Sequence, residues 1–183
     1  MLGHRKTGGQ WLTYGGTPGF FVKREFSVYS FDVYDTCWVR TVARPTDLFL
    51  QLAQATLSSQ QRPVSPEASF DLYHCRIQAE QQARAMAPER EDITLEAIYQ
   101  ALAPLTADGL DLSLMRSLEL QLEAAAIRPI TRIKAWIQQL RSQQAQIIFI
   151  SDMYLPTAFI QQNLVRHGLA APTDPVYVSG ILG

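Results

Sequence analysis

The stretch that decides the fold is SFDVYDT, Ser30–Thr36, in which two aspartates follow an apolar run. The run FSVYSF (26–31) is rich in the aromatic and β-branched residues that favour a strand, and it ends at Asp32. A carboxylate at the end of a strand is more often a turn residue than a nucleophile. Asp32 therefore becomes a candidate for chemistry only if a second strand ends in polar groups beside it.

Such a strand is predicted by QIIFI (146–150), a continuous apolar run that is followed by Ser151. Runs of this kind are typical of strands buried on both faces of a parallel sheet. VYV (176–178) predicts a third strand, and Pro156 and Gly168 mark the start and the end of a helix between them. This strand–helix–strand unit predicts a parallel sheet with a right-handed crossover.

The sequence between the first two strands has a helical pattern. Capping residues and apolar periodicity predict helices at about 47–57, 66–86, 93–103 and 112–126, and a fifth after Pro129. On the second helix, Phe70, Tyr73 and Ile77 are predicted to share one face, whereas Arg76 and Arg84 are interpreted as solvent-facing.

The block at 45–126 is too large for a simple connection and is interpreted as an inserted helical unit. The α/β core is then formed by residues 26–44 and 127–183. The glycine-rich lead-in at 1–25 is expected to be poorly ordered, with an extended piece at 20–22 at most.

Composition narrows the class of protein. The chain has 183 residues, 47% of them apolar, which suits one domain or one domain with an insertion. A net charge of −1 gives no electrostatic reason to expect a nucleic-acid or membrane partner. Cys37 and Cys75 are too few for a disulfide framework or a zinc site, and no apolar run approaches the roughly 20 residues that span a bilayer. These features favour a soluble cytoplasmic protein and leave its oligomeric state open.

Asp32 and Ser151 are the candidate catalytic residues. Ligands of open parallel sheets bind outside the carboxyl ends of the strands, where neighbouring strands would bring these two side chains into one crevice. An ionised aspartate can attack a phosphate ester if a Mg²⁺ ion relieves the repulsion between the two anions. Ser151 would donate a hydrogen bond to a phosphoryl oxygen.

FDVYDT resembles the first motif of the haloacid dehalogenase (HAD) superfamily, an apolar strand running into Asp-x-x-x-Thr, and IIFISD resembles its second motif. The longer strings SFDVYDTCWVR and FISDMYLPTAFI are similar to predicted HAD hydrolases found alongside glycosyltransferases. The helical block is similar too, notably ITLEAIYQALA and the helix carrying Glu119 and Glu123. The resemblance covers about residues 26–183. It implies a Rossmann-like α/β core with an inserted C1-type helical cap, and Mg²⁺-dependent hydrolysis of a small phosphorylated substrate.

The resemblance also implies roles for individual residues. Asp32 would be the covalent nucleophile and a Mg²⁺ ligand, and Tyr34 would offer its backbone carbonyl to the metal. Thr36 and Ser151 would bind the substrate, Ser151 through its hydroxyl. Residues 37–44 would form a mobile turn and flap leading into the cap.

Within this flap, Trp38 and Arg40 are expected substrate contacts, but the sequence departs from the family pattern in two respects. HAD phosphatases usually place an acid two residues after the nucleophile to protonate the leaving group, and here Tyr34 stands there, with Asp35 one residue later. The lysine and the acidic pair of the later motifs would follow the strand at 176–178, which implies a C-terminally incomplete core.

Three interpretations therefore remain. The first is a phosphatase that acts through an aspartyl-phosphate on Asp32. The second is a non-catalytic HAD-like docking or regulatory module of a larger glycan-modifying protein. The third is a 2-haloacid dehalogenase, because a tyrosine at the place of Tyr34 occurs in dehalogenase members, which need no Mg²⁺.

Overall fold

A computed structural model of the chain describes residues 6–7, 10–11, 28–89 and 92–182. Strands β1 (Lys6–Thr7) and β2 (Gln10–Trp11) pair in antiparallel fashion. The remainder of the predicted lead-in, including the expected extended piece at 20–22, lies outside the described residues.

The three predicted strands form one parallel sheet. They are β3 (Val28–Asp32), β6 (Gln146–Ser151) and β7 (Val176–Val178), in the order β3-β6-β7. The connections carry helices α5 (Thr131–Ser142) and α6 (Thr157–Arg166), and α7 (Ser179–Leu182) follows β7. We call these strands and α5–α7 the sheet core. The α/β class with a parallel sheet is confirmed.

One face of this sheet is covered and the other is open. Both crossovers advance in the same direction across the sheet, so right-handed connections place α5 and α6 on the same face. Phe31 and Phe149 are buried there, whereas Val28, Ile150 and Tyr177 on the opposite face are each about 45% exposed. The prediction that the strand at 146–150 is buried on both faces was therefore wrong for the described part of the chain.

The predicted helical block folds as a unit between β4 (Trp38–Arg40) and β5 (Ile127–Pro129). It consists of α1 (Asp47–Ser59), α2 (Pro66–Met86), α3 (Leu95–Leu102), a 3₁₀ turn (Ala103–Leu105) and α4 (Leu112–Ala126). We call it the helical insertion. The side chains of Ser65, Thr94 and Asp111 cap α2, α3 and α4 by accepting hydrogen bonds from backbone N–H groups. None of the described helices is long and apolar enough to cross a membrane.

The packed face of α2 differs from the predicted one. Phe70 is 49% exposed, and the buried positions of this helix are Ser69, Leu72, Arg76, Ala79 and Ala83. The prediction was wrong because the aromatic residues form the more apolar stripe of this helix. A salt-bridged arginine occupies the centre of the face that is in fact buried.

A two-stranded ribbon, which the sequence did not predict, joins the two units. β4 pairs with β5 in antiparallel register, Trp38 opposite Pro129 and Arg40 opposite Ile127. Both strands have three residues, and β5 begins directly where α4 ends, so no alternation was visible in the sequence. Part of the segment expected to be a mobile flap is thus a paired strand.

The two faces of α2 can be compared by alanine substitution. Leu72→Ala should lower the free energy of unfolding by about 2–5 kcal/mol, because it leaves a cavity in the insertion. Phe70→Ala should cost about 1 kcal/mol or less, because half of that ring is already in water. Urea denaturation of the two variants measures both values. A larger loss for Phe70→Ala would contradict the packing described.

Candidate active site

Asp32 lies at the carboxyl end of β3 with an exposed carboxylate. Its Oδ2 accepts a hydrogen bond from the Thr36 hydroxyl at 3.0 Å. The turn between them is closed by the Val33 carbonyl, which accepts from the N–H groups of Cys37 and Trp38 at 2.9 and 3.2 Å. Asp35 sits in the left-handed region, with φ at 56°, a conformation that aspartate tolerates better than most residues. Residues 32–36 thus form a tight turn that leaves the carboxylates of both Asp32 and Asp35 exposed.

The surroundings of Asp32 raise its pKa above the ordinary value. Partial burial is the largest cause, and the nearby carboxylates of Asp152 and Asp35 act in the same direction. The hydrogen bonds from Thr36 and from the backbone of Val33 oppose the rise by stabilising the ionised form. The acidic side chains around this strand end therefore favour the binding of a cation there.

Ser151 ends the neighbouring strand but faces the other way. Asp32 is the register partner of Ile150, so the two strand ends adjoin, as predicted. Side chains alternate along a strand, however, and Ser151 lies on the helix-covered face with 1% of its surface exposed. Its Oγ is 3.4 Å from the Met153 N–H, which donates to it. The Ser151 hydroxyl is therefore not open to a phosphoryl oxygen in this structure.

Tyr34 does not replace the missing acid in this arrangement. Its ring is buried, its hydroxyl has no hydrogen-bond partner among the described residues, and the Arg40 guanidinium lies 4.3 Å from the ring centroid. Burial, and next the Glu123 carboxylate, raise the pKa of Tyr34 well above its ordinary value. A phenol in this environment is a packing residue between the first-motif turn and the helical insertion.

Trp38 and Arg40, which were expected to contact the substrate from the flap, also point inward. Trp38 is fully buried and packs edge-on against Tyr34, with 5.4 Å between ring centroids. Arg40 donates from Nε and Nη2 to the two carboxylate oxygens of Glu123, at 2.9 and 3.1 Å. Neither side chain offers a free surface to a substrate here. Arg40 instead joins the ribbon to α4, and Trp38 packs against Tyr34.

A second buried ion pair lies deeper in the insertion. Arg76, which was interpreted as solvent-facing, is fully buried and donates to both oxygens of Glu119 at 3.0 and 2.7 Å. The Tyr99 hydroxyl donates to the same carboxylate at 2.8 Å, and the Tyr154 hydroxyl lies 3.5 Å from it. The sequence signal for both pairs was the four-residue spacing of Glu119 and Glu123 on an otherwise apolar helix face.

The strand end around Asp32 offers ligand types that suit Mg²⁺, but the described residues do not form a metal site. Asp32 supplies a carboxylate, and the neighbouring backbone, Tyr34 included, supplies carbonyl oxygens, which are the ligand types that Mg²⁺ prefers. Across residues 28–89 and 92–182, however, no group of three or more His, Cys, Asp or Glu side chains is placed to hold a metal ion. Cys37 is not a candidate either, because burial raises the pKa of its thiol to about 12.

Comparison with solved structures assigns the architecture. YfnB from Bacillus subtilis, classed as a HAD-hydrolase and crystallised in an orthorhombic form bound to magnesium, matches with a TM-score of 0.53 at 16% identity, over 85% of this chain and 66% of that one. The chain has a HAD-like fold.

A predicted phosphoglycolate phosphatase from Haemophilus somnus matches with a TM-score of 0.46 at 10% identity, over 84% of this chain and 63% of that one. This HAD-like chain therefore spans less than two thirds of the length of either protein. No family model and no curated protein matches the sequence.

The protein should lose far more stability when one partner of the Arg40–Glu123 pair is removed than when both are removed. Glu123→Met leaves the Arg40 charge buried and uncompensated, and should cost roughly 3–5 kcal/mol of unfolding free energy. The double variant Arg40→Met/Glu123→Met removes both charges and should recover most of that loss. Thermal and urea unfolding of the single and double variants measures the difference. A double variant no more stable than Glu123→Met would contradict this interpretation of the pair.

Proposed function

We propose that the protein is a HAD-like hydrolase that cleaves small phosphate esters through an aspartyl-phosphate on Asp32, and that it is related in function to the predicted HAD hydrolases found alongside glycosyltransferases. The observation that carries the proposal is the exposed Asp32 carboxylate at the carboxyl end of a parallel strand. Thr36 holds one of its oxygens, and the side chain is exposed to solvent. The helical insertion beside this strand end would act as the cap that encloses the substrate.

The proposed reaction has two steps. An oxygen of ionised Asp32 forms a bond to phosphorus while the bond between phosphorus and the ester oxygen breaks. The departing alkoxide takes a proton from water, because Tyr34 is turned away from Asp32. A second water then cleaves the aspartyl-phosphate, which releases inorganic phosphate and restores the carboxylate.

Mg²⁺ is the proposed cofactor. It would be held by Asp32, by the Tyr34 backbone carbonyl and by a substrate phosphoryl oxygen. Bound there, it would supply positive charge that offsets the repulsion between the carboxylate and the phosphate. The magnesium reported in YfnB supports this choice.

A slow enzyme is the expected consequence of Tyr34. General acid catalysis is typically worth about 10²–10⁴-fold in rate, and a buried tyrosine stands where HAD phosphatases usually place the acid. Esters with good leaving groups, which need no protonation, should therefore be hydrolysed much faster than alkyl phosphates.

The nucleophile can be tested directly. The wild-type chain should release nitrophenolate from para-nitrophenyl phosphate with Mg²⁺ and lose that activity with EDTA, and Asp32→Asn should lower the rate by at least about 100-fold. Asp35→Asn, which keeps a residue suited to φ > 0, serves as the matched control and should retain activity. Activity that survives Asp32→Asn would overturn the assignment of Asp32.

The pH dependence tests the role of Thr36. Because only ionised Asp32 attacks, activity should fall as the pH drops through its raised pKa. Thr36→Val removes the hydrogen bond that lowers this pKa, so the acidic limb of the rate profile should move to higher pH. Thr36→Ser keeps a hydroxyl and should leave the limb close to that of the wild type. Identical limbs for valine and wild type would show that the bond does not act on Asp32.

A non-catalytic docking or regulatory module is the second candidate function. The inward position of Tyr34 favours it, and so does the open sheet face with half-exposed Val28, Ile150 and Tyr177, because apolar patches of this kind mark interaction sites. A wild-type chain that hydrolyses no phosphate ester would support this candidate. Release of halide from 2-haloacids without Mg²⁺ would instead support the dehalogenase alternative.

A further inference from the structure

We infer that the helical insertion is latched to the sheet core at the start of α3, and that this latch holds the loop that follows Ser151 in place. Two core segments contact the residues Asp92–Leu95. One is Tyr154, in the loop after β6, and the other is Ser179–Gly180, directly after β7. We call these contacts the α3 latch. The inference concerns movement of the insertion and does not depend on the proposed chemistry.

The first half of the latch is Tyr154. The first N–H groups of a helix have no partner within the helix, and the Tyr154 carbonyl accepts the one from Leu95 at 2.8 Å. The Tyr154 ring reaches into the insertion, with the Arg76 guanidinium 5.3 Å from its centroid. Its hydroxyl makes a long contact of 3.5 Å to Glu119. A core residue is thereby bound to the insertion through both its backbone and its side chain.

The second half is the turn into α7. The Ser179 hydroxyl donates to the Asp92 carboxylate of the insertion, and it also lies 3.3 Å from the Ser151 carbonyl oxygen. At Gly180, a Cβ atom would lie only 2.5 Å from the Ile93 carbonyl oxygen. This close approach is possible only for glycine, so any other residue would push the insertion away from the core.

Both halves of the latch adjoin the same core segment, Ser151–Tyr154. Tyr154 is three residues beyond Ser151, and Met153 between them donates its N–H to the Ser151 hydroxyl. While the latch is closed, this loop is held in place and the hydroxyl stays buried. Release of Asp92–Leu95 would therefore loosen this loop and the bond from the Met153 N–H to the Ser151 hydroxyl.

Site-resolved amide hydrogen exchange of the whole chain, measured by NMR, tests the latch. The Leu95 amide reports its bond to the Tyr154 carbonyl directly, and the Met153 amide reports the loop that the latch holds in place. Gly180→Ala and Tyr154→Leu should each accelerate exchange at both amides by at least about tenfold, while amides in the middle of α4 change by less than about twofold. Tyr99→Phe is the matched control, because it removes a shorter hydrogen bond to the same Glu119 but lies wholly within the insertion. It should leave Leu95 and Met153 unchanged.

Three results would overturn the inference. The first is unchanged exchange at Leu95 or Met153 in either latch variant, which would show that the contacts do not hold the junction. The second is equal acceleration throughout α4, which would indicate general destabilisation. The third is acceleration at Leu95 and Met153 in Tyr99→Phe as large as in Tyr154→Leu, because the effect would then arise inside the insertion. None of these readouts requires catalytic activity, so the latch and the proposed function can fail separately.

Discussion

The parallel pairing of β3 with β6 is the contact on which the rest of the structure depends. It sets Asp32 beside Ile150 although the helical insertion, the ribbon and α5 all lie between them in the sequence. Closing so long a loop costs conformational entropy, but the cost grows only with the logarithm of loop length. The insertion also has its own capped helices and buried side chains, so most of the intervening chain is ordered by local contacts rather than by the sheet.

The fold was largely predictable because its elements carry local signals. Ser65-Pro66, the apolar run at 146–150 and the left-handed Gly168 each mark a helix or strand that the structure contains. The predictions that failed concern features that depend on a partner distant in the sequence. The β4–β5 ribbon is invisible in six residues of sequence, and the burial of Arg76 is explained only by Glu119, more than forty residues away.

Less of the candidate site was predictable. The order and spacing of the two motifs placed Asp32 and Ser151 at adjoining strand ends, which the register confirms. The direction in which each side chain points was not predictable, because it depends on strand alternation relative to helices that could lie on either face. The same limit explains Trp38 and Arg40, which the flap interpretation placed toward a substrate and the structure places against Tyr34 and α4.

The two buried arginine–glutamate pairs have a consequence for the ionic conditions that the protein tolerates. Surface ion pairs weaken as salt shortens the Debye length, to about 3 Å at 1 M. Arg76 and Glu119 are enclosed by protein and lie out of reach of mobile ions, and Glu123 is nearly so. The helical insertion should therefore remain cohesive in concentrated salt, whereas attraction between Asp32 and any cation at the exposed strand end should weaken there.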